Sequence, residues 1–328
     1  MDWEQRCIRF CAAMLTCAVF LRLGDLGYFT PVGQALTRPE VASFLAYLQT
    51  GRVIRLPEET EITTAPTEDT APTQATAPRE PIHFSPEDLA KLSVTYNTQY
   101  RPDLEKLLLS PLPFDLRGED PAVLILHTHT TESYTPAPGE SYEATSAFRT
   151  LDPGYNMLAI GDRVAEILEQ AGISVLHDRT LHDYPSYNGS YNHARESTEA
   201  ILAQNPSIRL ILDLHRDAAD TPTGQMTTQA SVGSADSAQL MLVVGTGSGG
   251  LSHPNWEENC ALALKLQVIL ENNNPGICRD LALTYSRYNQ HLSPGALLVE
   301  VGAAGNTLSE ALVAAGALAQ GIIDLFQP

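Results

Sequence analysis

The sequence predicts an α/β fold in which a mainly parallel β-sheet is flanked by helices. Short apolar runs alternate with amphipathic stretches from residue 122 onward, and this alternation is typical of α/β domains. The apolar runs are rich in Val, Ile and Leu, as expected for parallel strands that are buried on both faces. Polar side chains follow several of the runs, and functional residues of such sheets gather at the carboxyl ends of the strands.

The individual elements follow from the hydrophobic periodicity. The predicted strands are the short apolar runs Ala122–Leu126, Ile173–Leu176, Ile208–Leu214, Leu240–Val244 and Ala296–Val301. The predicted helices have apolar residues at helical spacing and cover Tyr155–Ala171, Asn192–Gln204, Trp256–Glu271 and Thr307–Phe326. Gly172 directly follows the first helix, and glycine commonly ends helices. Residues 82–120 carry short helical and extended pieces.

Three segments are predicted before this domain, which spans residues 82–328. Residues 1–24 contain the uncharged run Phe10–Leu21 between arginines, which favours an uncleaved signal anchor with its basic end inside over a cleaved signal or a buried helix. Residues 25–56 form a juxtamembrane segment with a short helix over Thr37–Leu56. Residues 57–81 are rich in Thr, Pro, Ala and Glu and predict an extended linker. The chain is therefore expected to be a single-pass membrane protein with its folded domain outside the cytoplasm.

Composition excludes some classes of partner and site. A formal net charge of −19 and a pI near 4.7 argue against nucleic acid, because phosphate binding needs clustered Lys and Arg. The five cysteines form no CxxC pair, which argues against a structural zinc site. Cys260 is interpreted as a buried helical residue, and a disulfide between Cys260 and Cys278 is the alternative in an oxidising compartment.

Imidazole and carboxylate side chains follow three of the predicted strands. His127, His129 and Glu132 come after the first strand. His215 follows the third strand, and Glu300 lies within the apolar run of the last one. Two histidines and one carboxylate suit a catalytic zinc ion, and a general base beside a metal accounts for a glutamate in an apolar strand. Each residue alone has a structural interpretation, as a hydrogen-bonding histidine or a backbone-binding carboxylate.

A polar, aromatic stretch follows the second strand. Residues 177–192 include Tyr187 and Asn188 among several turn-forming residues. A loop of this kind at the catalytic edge suits recognition of a polar polymer, with tyrosines stacking on sugars and amides binding peptide. Packing of a structured loop is the alternative. No Ser nucleophile elbow and no phosphate-binding loop occur in the sequence.

Four runs resemble the stage II sporulation protein P family: LILHTHTTESYTP, HDRTLHDYPSYNGSYNHAR, ILDLHRDA and LLVEVGAAGNTLSEA. The resemblance covers Thr95 to the C-terminus. It implies a distant relationship to zinc-dependent N-acetylmuramoyl-L-alanine amidases, with His129 and His215 as zinc ligands and Glu300 as the catalytic base. The third ligand stays open between Glu132, from the spacing of related zinc carboxypeptidases and preferred here, and Asp152, from the amidase position.

Roles are also expected for neighbouring residues, from their charge, their loop composition or their place in the motifs. His127, Arg216 and Asn306 are expected to bind substrate or to support the zinc ligands, together with the loop residues Tyr187 and Asn188. Arg149 is the alternative to Arg216 for binding substrate carboxylates.

The resemblance implies zinc-dependent hydrolysis of the amide that joins N-acetylmuramic acid to L-alanine, with cleavage of peptide cross-links as a further activity. It also implies action during sporulation engulfment, between mother cell and forespore, with stage II sporulation protein D and an engulfment membrane complex as partners. Two alternatives stay open. One is a zinc endopeptidase that acts mainly on cross-links, and the other is an inactive peptidoglycan-binding module.

Overall fold

The computed structural model describes residues 82–118 and 120–326. The predicted anchor (residues 1–24), juxtamembrane segment (25–56) and linker (57–81) lie outside the described residues, as does the predicted helix over Thr37–Leu56.

Within the described residues, seven strands form one sheet in the order β1-β12-β11-β13-β6-β2-β5. The strands of this sheet are β1 (Val94–Asn97), β2 (Val123–Leu126), β5 (Val175–His177), β6 (Leu210–Asp217), β11 (Leu240–Gly245), β12 (Leu281–Thr284) and β13 (Ala296–Ala303). Neighbouring strands are parallel except β11 and β13, which are antiparallel. The carboxyl ends of β2, β6 and β13 therefore meet at one edge of the sheet.

Short antiparallel hairpins lie outside the main sheet. They are formed by β3 (Ala144–Ser146) with β4 (Arg149–Thr150), β7 (Asp220–Thr221) with β8 (Gly224–Gln225), and β9 (Ala230–Val232) with β10 (Ala235–Ser237). The described α-helices are α1 (Leu104–Leu109), α2 (Met157–Gln170), α3 (Ser190–Gln204), α4 (Trp256–Asn273) and α5 (Leu308–Phe326). Short 3-10 helices cover Pro86–Lys91 and Gln290–Leu292.

The two faces of the sheet are covered unequally. Helices α1, α2, α4 and α5 pack on one face and bury the larger apolar core with side chains of β2, β6, β11 and β13. On the opposite face, α3 covers only the part of the sheet around β2 and β6, through a small cluster that includes Leu124, Ala194 and Ile211. The rest of this second face lines a cavity and is formed by β13, β11, β12 and β1.

The predicted α/β class is confirmed, and the predicted elements agree with the observed ones to within a few residues. Helix α2 ends as expected, since Gly172 adopts a φ of 83° just beyond it, a conformation that is easy only for glycine. Strands β1 and β12 were not predicted, and β1 alternates between half-buried and exposed residues, so it gives no continuous apolar run. Cys260 is buried, as expected, and both it and Cys278 are free thiols.

Among the described residues, α5 is the helix that is long and apolar enough to cross a membrane by length and composition, with a mean hydropathy of 1.4. It packs against α2 and α4, and nine of its residues are buried in the core. Its composition is therefore explained by packing within the domain.

A buried lysine predicts a pH dependence of stability. The Lys265 ammonium donates to the Leu107 carbonyl at 2.8 Å, and burial lowers its pKa from 10.5 to about 8. The unfolded chain therefore binds more protons than the folded chain between these values, so the unfolding free energy rises with pH there, by up to about 1.4 kcal/mol per pH unit. In denaturant unfolding from about pH 7 to about pH 10, this contribution should appear as a stability of the wild type relative to Lys265→Met that increases with pH, because the other titrating groups are common to both proteins. Lys106→Met, at an exposed lysine of α1, should retain it.

Candidate active site

The sheet topology brings the predicted site residues together at one edge. Strand β6 lies between β13 and β2 in the sheet, and Glu300 of β13 lies in register with His215 of β6. Paired residues of parallel strands point to the same face, so both side chains lie on the face that carries α3. The loop after β2 brings His129 and Glu132 to the same place.

The His129 ring lies between other rings of the site. Its centroid is 4.6 Å from that of Tyr187, which stacks on it, and 5.3 Å from that of His215, which is perpendicular to it. Burial lowers the pKa of His129 to about 3, and the charges of His215 and Arg149 add to the shift. The ring is therefore neutral at physiological pH. Its buried Nδ1 has no hydrogen-bond partner, which leaves a lone pair available for a ligand.

Glu132 is buried and is held by two arginines. Its Oε1 lies 3.2 Å from Arg149 Nη2 and 3.4 Å from Arg216 Nη1, and its Oε2 accepts the backbone N–H of Arg216 at 3.3 Å. Arg216 also donates to the carbonyls of Ser133 and Phe148. The buried Arg216 guanidinium is thus fully engaged in the protein, and its contacts position the Glu132 loop against β6.

His215 lies among carboxylates. Its Nε2 is 2.9 Å from Asp213 Oδ1, although without hydrogen-bond geometry, and its Nδ1 is 3.7 Å from Glu132 Oε2. Burial opposes protonation of this ring, but the Asp213 carboxylate outweighs it and raises the pKa of His215 to about 9, with Glu132 and Glu300 contributing. The electrostatic field at His215 therefore favours a positive charge.

Glu300 lies beside His215 with one carboxylate oxygen unpaired. Oε2 is buried and has no hydrogen-bond partner. Burial raises the pKa of Glu300 to about 8, the charges of Glu132 and Asp217 raise it further, and His215 lowers it. A carboxyl group with a pKa near physiological pH can both accept and return a proton, as a general acid–base catalyst must.

His127 lies behind the site and has both ring nitrogens engaged. Its Nδ1–H donates to the Leu214 carbonyl at 3.0 Å. Its Nε2 lies 2.9 Å from His177 Nε2, and His177 Nδ1 in turn lies 3.0 Å from Asp162 Oδ1. Burial lowers the pKa of His127 to about 3, so the neutral form prevails. No nitrogen of His127 is therefore free for a metal ion, and the residue supports the end of β2.

A glycine of α2 makes room for this histidine pair and provides a test of it. A Cβ on Gly161 would lie 2.4 Å from His177 Nε2 and 2.7 Å from His127 Nε2. We expect Gly161→Ala to lower the free energy of unfolding by about 1–3 kcal/mol, because the rings must move and lose their hydrogen bond. Gly316→Ala is the matched control on α5, where the nearest atom is 3.6 Å away. That variant should be neutral or more stable, and equal unfolding free energies for the two variants would contradict the prediction.

The other predicted residues have different surroundings. Tyr187 is 54% exposed, and the Arg149 guanidinium lies 4.8 Å from its ring centroid. Asn188 is exposed in the same loop. Asn306 is fully buried, accepts from the Ala303 and Thr228 N–H groups and donates to the Thr228 carbonyl, so it fixes the turn after β13. Asp152 is exposed, and its carboxylate accepts the Gly154 N–H at 2.9 Å.

Two buried aspartates of the site were not among the residues predicted from the sequence. Asp213 accepts both the backbone N–H and the hydroxyl of Thr128, which lies between His127 and His129. Asp183 does the same for Thr131 and also pairs with Arg149. Asp213 could have been predicted from the sequence, because it precedes His215 by two residues on one strand and its side chain therefore lies on the same face of the sheet. Asp183 has no such signal, because it lies in a loop.

The donors of the site fit a zinc ion in kind. Buried, unpartnered polar atoms occur on His129 (Nδ1), His215 (Nε2) and Glu300 (Oε2), and a cation between such atoms would satisfy them. Imidazole and carboxylate are zinc's usual nitrogen and oxygen ligands. The set is not assembled as a coordination sphere: in residues 82–118 and 120–326, no group of three His, Cys, Asp or Glu is arranged to hold a metal ion. Glu132 points to its arginines instead.

A cavity of about 720 Å³ opens beside this cluster on the α3 face of the sheet. Its floor is formed by side chains of β1, β11, β12 and β13, and Glu300 lies in its wall. Tyr191, at the start of α3, forms part of the same wall, with its ring 6.5 Å from that of His215. A polymer bound along this cavity would therefore reach Glu300.

Comparisons with known proteins agree with the sequence motifs. The family model described as stage II sporulation protein P matches residues 45–323. The stage II sporulation protein P of Bacillus subtilis (strain 168) is 31% identical over 228 residues, which are 65% of this chain and 53% of that protein. The match thus spans about half the length of this curated relative.

Two solved amidase structures show limited similarity. The N-acetylmuramoyl-L-alanine amidase AmiC2 of Nostoc punctiforme is 18% identical, with 64% of this chain and 100% of that chain covered and a TM-score of 0.39. The CwlD amidase of Clostridioides difficile, solved in complex with the GerS lipoprotein, is 15% identical, with 63% and 96% covered and a TM-score of 0.35. Both scores are low, so neither similarity bears on the chemistry of this chain.

Proposed function

Because this chain belongs to the stage II sporulation protein P family, we propose that it is a zinc-dependent peptidoglycan hydrolase that cleaves the N-acetylmuramoyl–L-alanine amide bond. The observation that carries the proposal is the buried, unpartnered Oε2 of Glu300 beside His215 and His129. An unpaired carboxylate oxygen in an apolar strand is costly, and a hydrolytic base is a reason to retain it. The family motifs, which contain these same three residues, support the same reaction.

In the proposed mechanism, His129, His215 and Glu132 are the residues that would hold the zinc ion, with Asp152 as the alternative carboxylate. Bound zinc would supply Lewis-acid activation of the amide carbonyl and of a water molecule. Glu300 Oε2 accepts a proton from the attacking water, whose oxygen bonds to the carbonyl carbon. The same carboxyl group then returns the proton to the nitrogen as the C–N bond breaks, which releases the stem peptide with a free L-alanine amino group.

Other residues of the site position these groups. The Asp213 carboxylate lies 2.9 Å from the His215 ring, and carboxylates that contact histidine ligands commonly fix their orientation. Arg216 and Arg149 fix Glu132 in turn. Tyr187 stacks on His129 from the solvent side and limits the access of water to it.

Digestion of purified peptidoglycan tests this function. Residues 82–328, which we propose to be the catalytic domain, are expected to be soluble and to release intact stem peptides from the glycan, as read by mass spectrometry. A chelator should stop the release. Products that are cleaved only within cross-links would instead support the zinc endopeptidase. An undigested wall with zinc bound would contradict hydrolysis by this domain alone and favour a binding module.

The family also supports a cellular setting for this activity. We place the domain outside the cytoplasmic membrane, held by the predicted anchor of residues 1–24 through the linker of residues 57–81, in the space between mother cell and forespore. Stage II sporulation protein D and the engulfment membrane complex are its proposed partners. Protease added to intact protoplasts early in engulfment should cut the domain, and protection of the domain until the membrane is permeabilised would contradict this placement.

A further inference from the structure

A second pocket, of about 320 Å³, lies between α3 and the loop of residues 285–289. We call it the arginine pocket. Arg195 and Arg287 line it together with Tyr191, Tyr285 and Tyr288. No carboxylate is among the described residues that line it. Two guanidinium groups without an acidic lining are unusual in a chain with a net charge of −19, so the pocket is a local site of positive charge.

Among the described residues Arg195 has one acidic partner, in a long and partly exposed ion pair, and Arg287 has none at ion-pair distance. The nearest acidic partner of Arg195 is Glu199 at 3.9 Å, on the exposed side of α3, and the buried Nε of Arg195 has no hydrogen-bond partner. Arg287 donates to the neutral Ser252 carbonyl. Behind the pocket, burial lowers the pKa of His291 to about 4, with the charges of Arg287 and Arg195 adding to the shift. The pocket therefore attracts an anion.

The arginine pocket is continuous with the proposed active site. Tyr191 and Tyr288 line both this pocket and the larger cavity that contains Glu300, and their ring centroids are 5.9 Å apart. Asn289 Nδ2 donates to the Tyr191 carbonyl at 2.7 Å, which fixes the loop to α3. The Tyr191 ring also lies 5.6 Å from that of His129. A ligand lying over this tyrosine pair would extend from the arginines to the catalytic cluster.

The larger cavity has no such excess of positive charge. It contains the carboxyl groups of Glu300 and Asp280, and the charge of its Arg279 is compensated by Asp217 at 2.7 Å. The rest of its floor offers neutral hydrogen-bonding groups, among them Asn97 and Gln239. An uncharged, hydroxyl-rich chain suits this lining, whereas a polycarboxylate does not.

From this difference in charge we propose that the arginine pocket binds the free carboxylates of the stem peptide, while the cavity beside Glu300 takes the glycan. The assignment rests on the proposed function, because it places the muramoyl–L-alanine bond between the two sites. Arginine binds carboxylates through paired N–H donors, and the γ-linked D-glutamate of the stem peptide leaves an α-carboxylate free for this contact. The binding direction of the substrate follows: peptide toward α3, sugar toward β1 and β12.

Binding of two muropeptides tests the assignment. They are the γ-methylamide of N-acetylmuramoyl-L-alanyl-D-glutamate and the α-amide of that same compound. Because the γ-carboxyl group is blocked in both, they differ only in whether the α-carboxylate is free or amidated. Calorimetric titration uses the full chain with Glu300→Gln, so that no substrate is consumed. We expect the acid to bind about tenfold more tightly than the amide, which corresponds to about 1.4 kcal/mol. Adding Arg195→Gln and Arg287→Gln should make the two affinities equal. Arg163→Gln, an exposed arginine of α2, should retain the preference.

Equal affinities for acid and amide in the chain that retains both arginines would overturn the assignment. A preference for the acid that persists after both arginines are replaced would overturn it as well. Competition by inorganic phosphate at the same concentration as the acid would also overturn it, since the pocket would then be a general anion site. Hydrolysis is measured separately on the chain with Glu300 intact. If the chain prefers the acid but does not hydrolyse peptidoglycan, the peptide site is supported and the proposed hydrolase function is contradicted. If the chain hydrolyses peptidoglycan without this preference, the hydrolase function is supported and the peptide site is contradicted.

Discussion

Replacing Glu300 with glutamine is expected to abolish peptidoglycan hydrolysis while the domain stays folded. Glutamine has nearly the same shape but cannot accept a proton, and general acid–base catalysis contributes at least about a hundredfold to rate. We therefore expect a loss of that size or larger in the release of stem peptides, measured by mass spectrometry under single-turnover conditions.

The fold of this variant can be checked by its stability. Burial raises the pKa of Glu300 to about 8 from 4.5, so in the metal-free protein the ionised group costs stability, increasingly as pH rises through this range. The neutral amide removes that cost, and the free energy of unfolding at neutral pH should not fall. Glu166→Gln, at an exposed glutamate of α2, should leave activity unchanged. Normal hydrolysis by Glu300→Gln would require a different base.

Removal of the metal is the second change with a large expected effect. Dialysis against a chelator should abolish hydrolysis, and one zinc ion per chain should restore it. His129→Ala and His215→Ala should each lose bound zinc together with activity, because each removes an imidazole ligand. Glu300→Gln should keep its zinc. Zinc content, measured by mass spectrometry of the purified chain, separates the ligands from the base, and unchanged zinc in both histidine variants would contradict the site.

The zinc content of purified variants also identifies the carboxylate ligand. If Glu132 binds zinc, Glu132→Gln loses the metal and Asp152→Asn keeps it; the reverse result would support Asp152. The geometry adds a complication, since Glu132 also neutralises the buried Arg216, and breaking a buried pair commonly costs about 3–5 kcal/mol. Circular dichroism of Glu132→Gln must therefore accompany the zinc assay, and only a folded, zinc-free variant identifies a ligand.

Much of the fold was predictable because its strands are buried on both faces. Runs such as Ala122–Leu126 and Leu240–Val244 are apolar without alternation, as is typical of strands that are buried on both faces. The edge strand β1 alternates between half-buried and exposed residues, so it carries a weaker signal. The antiparallel pairing of β11 with β13 depends on how the chain returns across the sheet, which local periodicity does not record.

The α/β class, and the convergence of histidine and carboxylate side chains at the ends of β2, β6 and β13, could be predicted without the fold. These conclusions follow from periodicity, which depends on residues near each other in the chain. The folded chain was needed to show that Glu132 contacts two arginines, that Asp213 contacts His215, and that Arg195 and Arg287 share a pocket. Those contacts join loops and strands far apart in sequence, and the net charge of the whole chain conceals a local site of opposite sign.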